Sequence, residues 1–182
     1  IACRSISRRA STRRRPSATA VGVDSLRQPT AAPTGGIDLA SREFARGRRL
    51  VARLPYGADL LEAVAAVAEE HGVIVGEVRA IGALQRARLA YYDQATRTYG
   101  EWDLDRPLEL VTLLGNVSRR DGATAVHVHA TLADHDGTCV GGHVAPGCVV
   151  FACELFMQEL AGGEALERAF DDETGLPLWR NV

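Results

Sequence analysis

The sequence predicts an α+β domain, a mostly antiparallel β-sheet carrying one main amphipathic helix. Three observations carry this. Short apolar segments rich in β-branched residues recur between residues 48 and 160, polar or glycine-containing turns separate them, and one segment alone has helical periodicity. At 182 residues the chain is long enough for one domain with a true core. With 46% apolar and only 5% aromatic residues, that core must be built from Val, Leu and Ala.

Taken in order, "RRLVARL" (48–54) reads as a strand. "YGADLLEAVAAVAEEHG" (56–72) reads as the helix: Leu60, Leu61, Val64, Val67 and Ala68 fall on one face, Asp59 stands where a cap belongs, and Gly72 marks the end. "VIVGEVRAIGAL" (73–84) and "RARLAYYD" (86–93) read as two strands, followed by a polar turn at 93–97. "LELVTLLGNVS" (108–118) is strand-like, "RRDG" a turn, and "TAVHVHATL" (124–132) a strand. "ADHDGT" turns the chain into a returning strand, "CVGGHV" (139–144). "CVVFACELFMQEL" (148–160) is ambiguous by hydrophobicity, but its β-branched and aromatic opening favours strand.

Charge divides the chain. Residues 1–36 hold seven arginines against Asp24 alone, a net +6, which leaves −8 for residues 37–182 out of the total of −2. The first segment is rich in Arg, Ser, Thr, Pro and Gly without apolar periodicity, so it is expected to be a disordered arm; residues 37–182 form the domain. An acidic domain does not neutralise phosphates, so any DNA affinity is expected to be weak and to reside in the arm. Deleting residues 1–36 is therefore expected to abolish retention on a DNA column at physiological salt while leaving the far-UV spectrum of folded protein. An Arg- and Ser-rich, acid-poor start also has the character of an organelle transit peptide. Without an apolar run near the roughly 20 residues that cross a bilayer, the expected location is cytoplasmic, or an organelle if residues 1–36 are such a peptide. The four cysteines, Cys3, Cys139, Cys148 and Cys153, match no zinc-ribbon or redox spacing and read as reduced thiols.

Four of the five histidines lie in "HVHATLADHDGTCVGGH", residues 127–143. Strand alternation puts Val126, Val128, Ala130 and Leu132 on one face, and Ala125, His127, His129 and Thr131 on the other. If residues 129 and 143 pair across the turn, His143 stands beside His129, with Gly141 and Gly142 permitting a bulge or a close backbone approach. Three neutral imidazoles on one face suit zinc or another divalent first-row transition metal, with a fourth position open for water or a ligand. The bland alternative is three solvated histidines on a polar hairpin. His135 at the turn tip and His71 at the helix end read as structural, and Cys139 as a weaker ligand candidate. If the site is catalytic, Glu154 in the apolar run is the candidate base, or else a carboxylate that orients a ligand histidine.

Together "GALQRARLAYYD", "LLGNVS", "DGATAVHVHATLADHDGTCVGGHVAPG" and "VFACELFMQEL" resemble the plant-and-prokaryote conserved (PPC) domain, from about Glu43 to about Leu178. The resemblance implies a sandwich-like α/β subunit with a mostly antiparallel sheet, assembly as a homotrimer and, in the stand-alone prokaryotic type, zinc at the positions of His127, His129 and His143. Plant relatives carry AT-hooks centred on Arg-Gly-Arg-Pro, whereas this chain has Arg-Arg-Arg-Pro at Arg13–Pro16, without the glycine that lets the backbone enter the minor groove. Two functions follow as expectations. One is a metal-bearing trimeric module, regulatory or binding a small anionic ligand; the other is a zinc-dependent enzyme acting on a small molecule at an open three-histidine site.

Overall fold

A computed structural model describes residues 40–182. The expected arm at residues 1–36, with Cys3 and the Arg13–Pro16 segment, lies outside the described residues. The elements are β1 (Ala45–Leu54), α1 (Leu60–Glu70), β2 (Gly76–Asp93), β3 (Thr98–Leu104), β4 (Leu108–Arg120), β5 (Ala123–Ala133), β6 (Cys139–Val144), β7 (Val149–Ala161), β8 (Arg168–Phe170) and β9 (Pro177–Trp179). Seven strands form one sheet in the order β1-β7-β2-β4-β5-β6, with β3 on the far half of β2. Every pairing between its strands is antiparallel. The α+β prediction holds. No helix among the described residues is long and apolar enough to cross a membrane.

The spine is β2, eighteen residues long where the sequence reads as two strands. Polar Gln85 and Arg86 look like a break, but the chain passes them on β-bulges, and the Gln85 amide donates to the Val150 carbonyl at 3.0 Å. The first half of β2 lies between β7 and β4; the second pairs with β3 and, through Leu89↔Val144 and Ala90↔His143, with β6. The sheet thus curls until β6 meets the strand from which β4 departed. Strand β3, "TYGEWDL", gives no sequence signal because all but its last residue are exposed and nothing apolar alternates.

One face of the sheet is covered by α1. Leu60, Ala63, Val64 and Ala68 join Val128, Ala130 and Leu132 of β5 and Cys153, Leu155 and Met157 of β7 in one buried cluster. The alternation predicted for β5 is thereby realised, and the "CVVFACELFMQEL" ambiguity resolves as strand. Asp59 caps α1: Oδ1 accepts from the amides of Leu61 and Glu62, and Oδ2 accepts from Gly147 at 2.6 Å. Because Asp59 both caps the helix and ties it to the turn before β7, Asp59→Ala is expected to cost about 1–2 kcal/mol. A lower denaturation midpoint at unchanged m-value checks this.

Candidate metal centre

The opposite face of β5 presents His127 and His129, since residues two apart share a side of the strand. Return strand β6 pairs His129 with His143, Ala130 with Gly142 and Thr131 with Gly141, the register expected from sequence. The two glycines provide close approach rather than a bulge. A Cβ at Gly142 would stand 2.9 Å from the Ala90 carbonyl oxygen, because β6 is held between β5 and β2.

The three rings gather. Their centroids are 5.0 Å (His127–His143), 5.3 Å (His127–His129) and 5.4 Å (His129–His143) apart. One ring nitrogen from each lies within 4.8 Å of the others, and this is the one group of three or more His, Cys, Asp or Glu so placed among the described residues. Ligand nitrogens of a tetrahedral ion with bonds of about 2.0–2.1 Å stand about 3.3 Å apart, a difference that small side-chain rotations close.

Burial pushes the His127 pKa down to about 4, with Arg168, His143 and His129 adding repulsion. His143 is lowered by burial first, then by His129 and Arg168. Both are neutral at pH 7, the form that binds metal. His143 Nδ1 is buried with no hydrogen-bond partner. An orphaned buried polar atom of this kind costs about 1–3 kcal/mol. A cation or ligand beside it would remove that cost, so these residues fit the metal that the sequence resemblance implies.

Arg168, on β8, was not foreseen. Its Nε donates to Ser118 Oγ at 2.9 Å, Nη1 to the Pro177 carbonyl at 2.9 Å, and Nη2 to Asn116 Oδ1 at 2.9 Å. Nη2 also lies 3.3 Å from His127 Nδ1, where the roles of the two groups depend on which ring nitrogen carries the proton. Trp179 flanks the guanidinium with its ring centre 5.4 Å from Cζ. The β8–β9 hairpin is fastened to the β2–β3 turn: Arg97 donates to the carbonyls of Asp172 and Glu173, and the Tyr92 hydroxyl to that of Thr174. The available signal was "RAF" and "PLW" flanking "DDETG", two short strands around a turn.

The remaining candidates separate from the cluster. Glu154 is exposed on β7, opposite Arg53 of β1 and Ile81 of β2. Strands β2 and β4 intervene between β7 and β5, about 14 Å of sheet. The expectation that Glu154 serves the histidines as base or orienting carboxylate is therefore corrected: alternation turns it to solvent, and it needs no buried partner. His135 is an exposed turn residue with Nδ1 2.9 Å from Asp134 Oδ1, and His71 is the exposed C-cap of α1. Cys139 is exposed at the start of β6, outside the group of three histidines, whereas Cys148 and Cys153 are buried thiols.

Comparisons with known proteins agree with this construction. A metal-containing protein from Archaeoglobus fulgidus is 42% identical, with a TM-score of 0.74 over 78% of this chain and 99% of that one. A plant- and prokaryote-conserved protein from Pyrococcus horikoshii is 33% identical, with a TM-score of 0.73 over 79% of this chain and 99% of the other. Among curated sequences, the bifunctional protein GlmU of one Synechococcus strain is 30% identical over 157 residues, 86% of this chain. The chain spans 21% of that relative's length, and 15% of the GlmU of a second Synechococcus strain. The sequence profile of the Plants and Prokaryotes Conserved (PCC) domain matches residues 41–161, covering β1 to β7 and all three clustered histidines, and the chain belongs to that family.

Proposed function

We propose that the protein is a metal-binding module in which His127, His129 and His143 hold zinc, or another divalent first-row ion, with a position left open for a small anionic ligand. The observation that carries this reading is the convergence of three imidazoles, one of which has a buried nitrogen with no partner. A 42% identical protein described as metal-containing supports it. Bound there, the ion would supply Lewis acidity at the open position. The chain's own residues do the rest: β5 and β6 set the ring spacing, and Arg168 adds fixed positive charge.

We further propose that the module is a homotrimer with a regulatory or ligand-binding role. Support comes from the sheet face opposite α1. A continuous cross-strand row runs Val51–Phe156–Arg79–Leu114–His129–His143. Val51, Phe156 and Leu114 are exposed in the single chain, and Ile81 lies nearby on the same face. Apolar side chains so gathered favour association with another surface. The zinc-enzyme alternative gains no support from Glu154, which stands apart from the rings.

Elemental analysis of protein purified without an affinity tag, with its solution mass, tests both parts. About one transition ion per chain and three times the chain mass are the expected results. Protein free of metal after purification with added zinc would refute the first part, and a monomeric mass the second.

A further inference from the structure

A cavity of roughly 310 Å³ opens beside His127 and His143, bounded also by Tyr99, Arg120, Arg168 and the β9 side chains. The charge of its own lining is of one sign, with Glu101 acting on His143 from outside it. Arg168 is half-buried, yet among the described residues no carboxylate lies within ion-pair distance of it. Its polar partners, Ser118, Asn116 and the Pro177 carbonyl, are all neutral. The cavity lining contains two arginines and no acidic residue. A partly desolvated cation ordinarily has a counter-charge, and a divalent ion at the adjacent histidines would add repulsion to the same space. An anion shared between them removes both penalties.

We infer that this cavity receives a short aliphatic carboxylate, held by Arg168 against the three-histidine site. The inference deepens the proposed metal-site reading and rests on it for the second anchor. Two features choose carboxylate over phosphate. Of the five N–H groups of Arg168, three donate to Ser118, Pro177 and Asn116 and Nη2 also lies beside His127, so few remain for a multidentate dianion. An apolar wall formed by Ala125, Leu176 and Leu178 completes the lining, which suits an alkyl tail of a few carbons rather than a phosphate. The β8–β9 hairpin supplies both the guanidinium and much of that wall. It lies beyond residues 41–161, so the family match does not itself assign its role.

The test uses the full chain, zinc-loaded and chelator-treated, titrated with isobutyrate and with neutral isobutyramide by calorimetry or ligand-observed NMR. Metal content is measured on the same samples. Isobutyrate is expected to bind at least tenfold more tightly than isobutyramide and more tightly than inorganic phosphate, with weaker binding once zinc is removed. Arg168→Gln is expected to weaken isobutyrate at least tenfold at unchanged metal content. If Arg168→Gln does not fold, Leu178→Asp, at a partly exposed position, places a carboxylate in the cavity and is expected to abolish isobutyrate binding. Equal affinity for acid and amide, tighter binding of phosphate, loss of metal in Arg168→Gln, or no binding to either form of the protein would each overturn the inference. Protein that binds no zinc but still prefers isobutyrate through Arg168 would sink the metal reading and leave this one standing.

Discussion

Replacing His129 by alanine is expected to empty the metal site and leave the metal-free fold as stable as that of the wild type. His129 is exposed, so truncation removes little packing and should change metal-free stability by no more than about 0.5 kcal/mol. Metal affinity, by contrast, should fall by two orders of magnitude or more, because one of three protein ligands is gone. Structural zinc sites with four ligands are worth about 10–16 kcal/mol, so a single imidazole carries roughly 3–4 of them. His143→Ala should lose metal equally, but two opposing terms act on its metal-free stability. Its Nδ1 is buried and unpaired, so removing the ring relieves a cost of about 1–3 kcal/mol while forfeiting contact with Tyr99, whose ring centre lies 5.4 Å away. The two terms offset, and metal-free His143→Ala should melt close to metal-free wild type.

Linkage makes the pair of variants decisive. A metal that binds only the folded chain stabilises it by RT ln(1 + [L]/Kd), about 2.7 kcal/mol at a hundredfold excess over Kd. Wild type should therefore lose several degrees of melting temperature on chelation, and neither variant should respond. Melting curves with and without chelator, alongside elemental analysis, read this directly. A variant that keeps a stoichiometric ion, or a wild type indifferent to chelator, would remove the three histidines from any metal role.

The cluster was legible in the sequence because its geometry follows from local rules. Strand periodicity places His127 and His129 on one side, and the short turn at 134–138 brings His143 of β6 beside His129. Both rules act over fewer than twenty residues. What failed depends on longer range. Glu154 looked significant because a carboxylate stood among Val, Phe and Ala. In an exposed-face position of a sheet, however, such a residue is ordinary, and only strand order shows that β2 and β4 separate it from β5. Strand order is set by the whole fold. Arg168 was missed for the same reason. Nothing local distinguishes an arginine in "ALERAFDD" until the hairpin folds back and brings it to Asn116 and Ser118, some fifty residues earlier in the chain. The split of β2 failed differently, since Gln85 and Arg86 carry a turn-like signal that the bulges absorb.

Gly115→Ala should be the most damaging single methyl that can be added near the site. Gly115 on β4 pairs with Val128, between the pairs Leu114↔His129 and Asn116↔His127. A Cβ there would lie 2.0 Å from the His127 carbonyl oxygen, 2.7 Å from Val128 Cα and 2.7 Å from Val128 Cγ1. Two of these three atoms are backbone, so no side-chain rotation can make room; β5 must move away from β4 at the very residues that carry the rings. Overpacking that displaces backbone costs about 3 kcal/mol or more, the upper end of its usual range. The displacement also spoils a spacing that the metal requires, so metal content should fall with stability. Gly100→Ala on β3 is the control: its Cβ would meet nothing closer than the Tyr91 carbonyl oxygen at 4.0 Å, and its effect should stay within about 0.5 kcal/mol. Denaturant unfolding of both variants, with metal content measured in each, separates a steric constraint at the β4–β5 contact from a general intolerance of strand substitutions. If Gly115→Ala proves as benign as Gly100→Ala, the close approach that holds His127 and His129 in place is not a constraint on this fold.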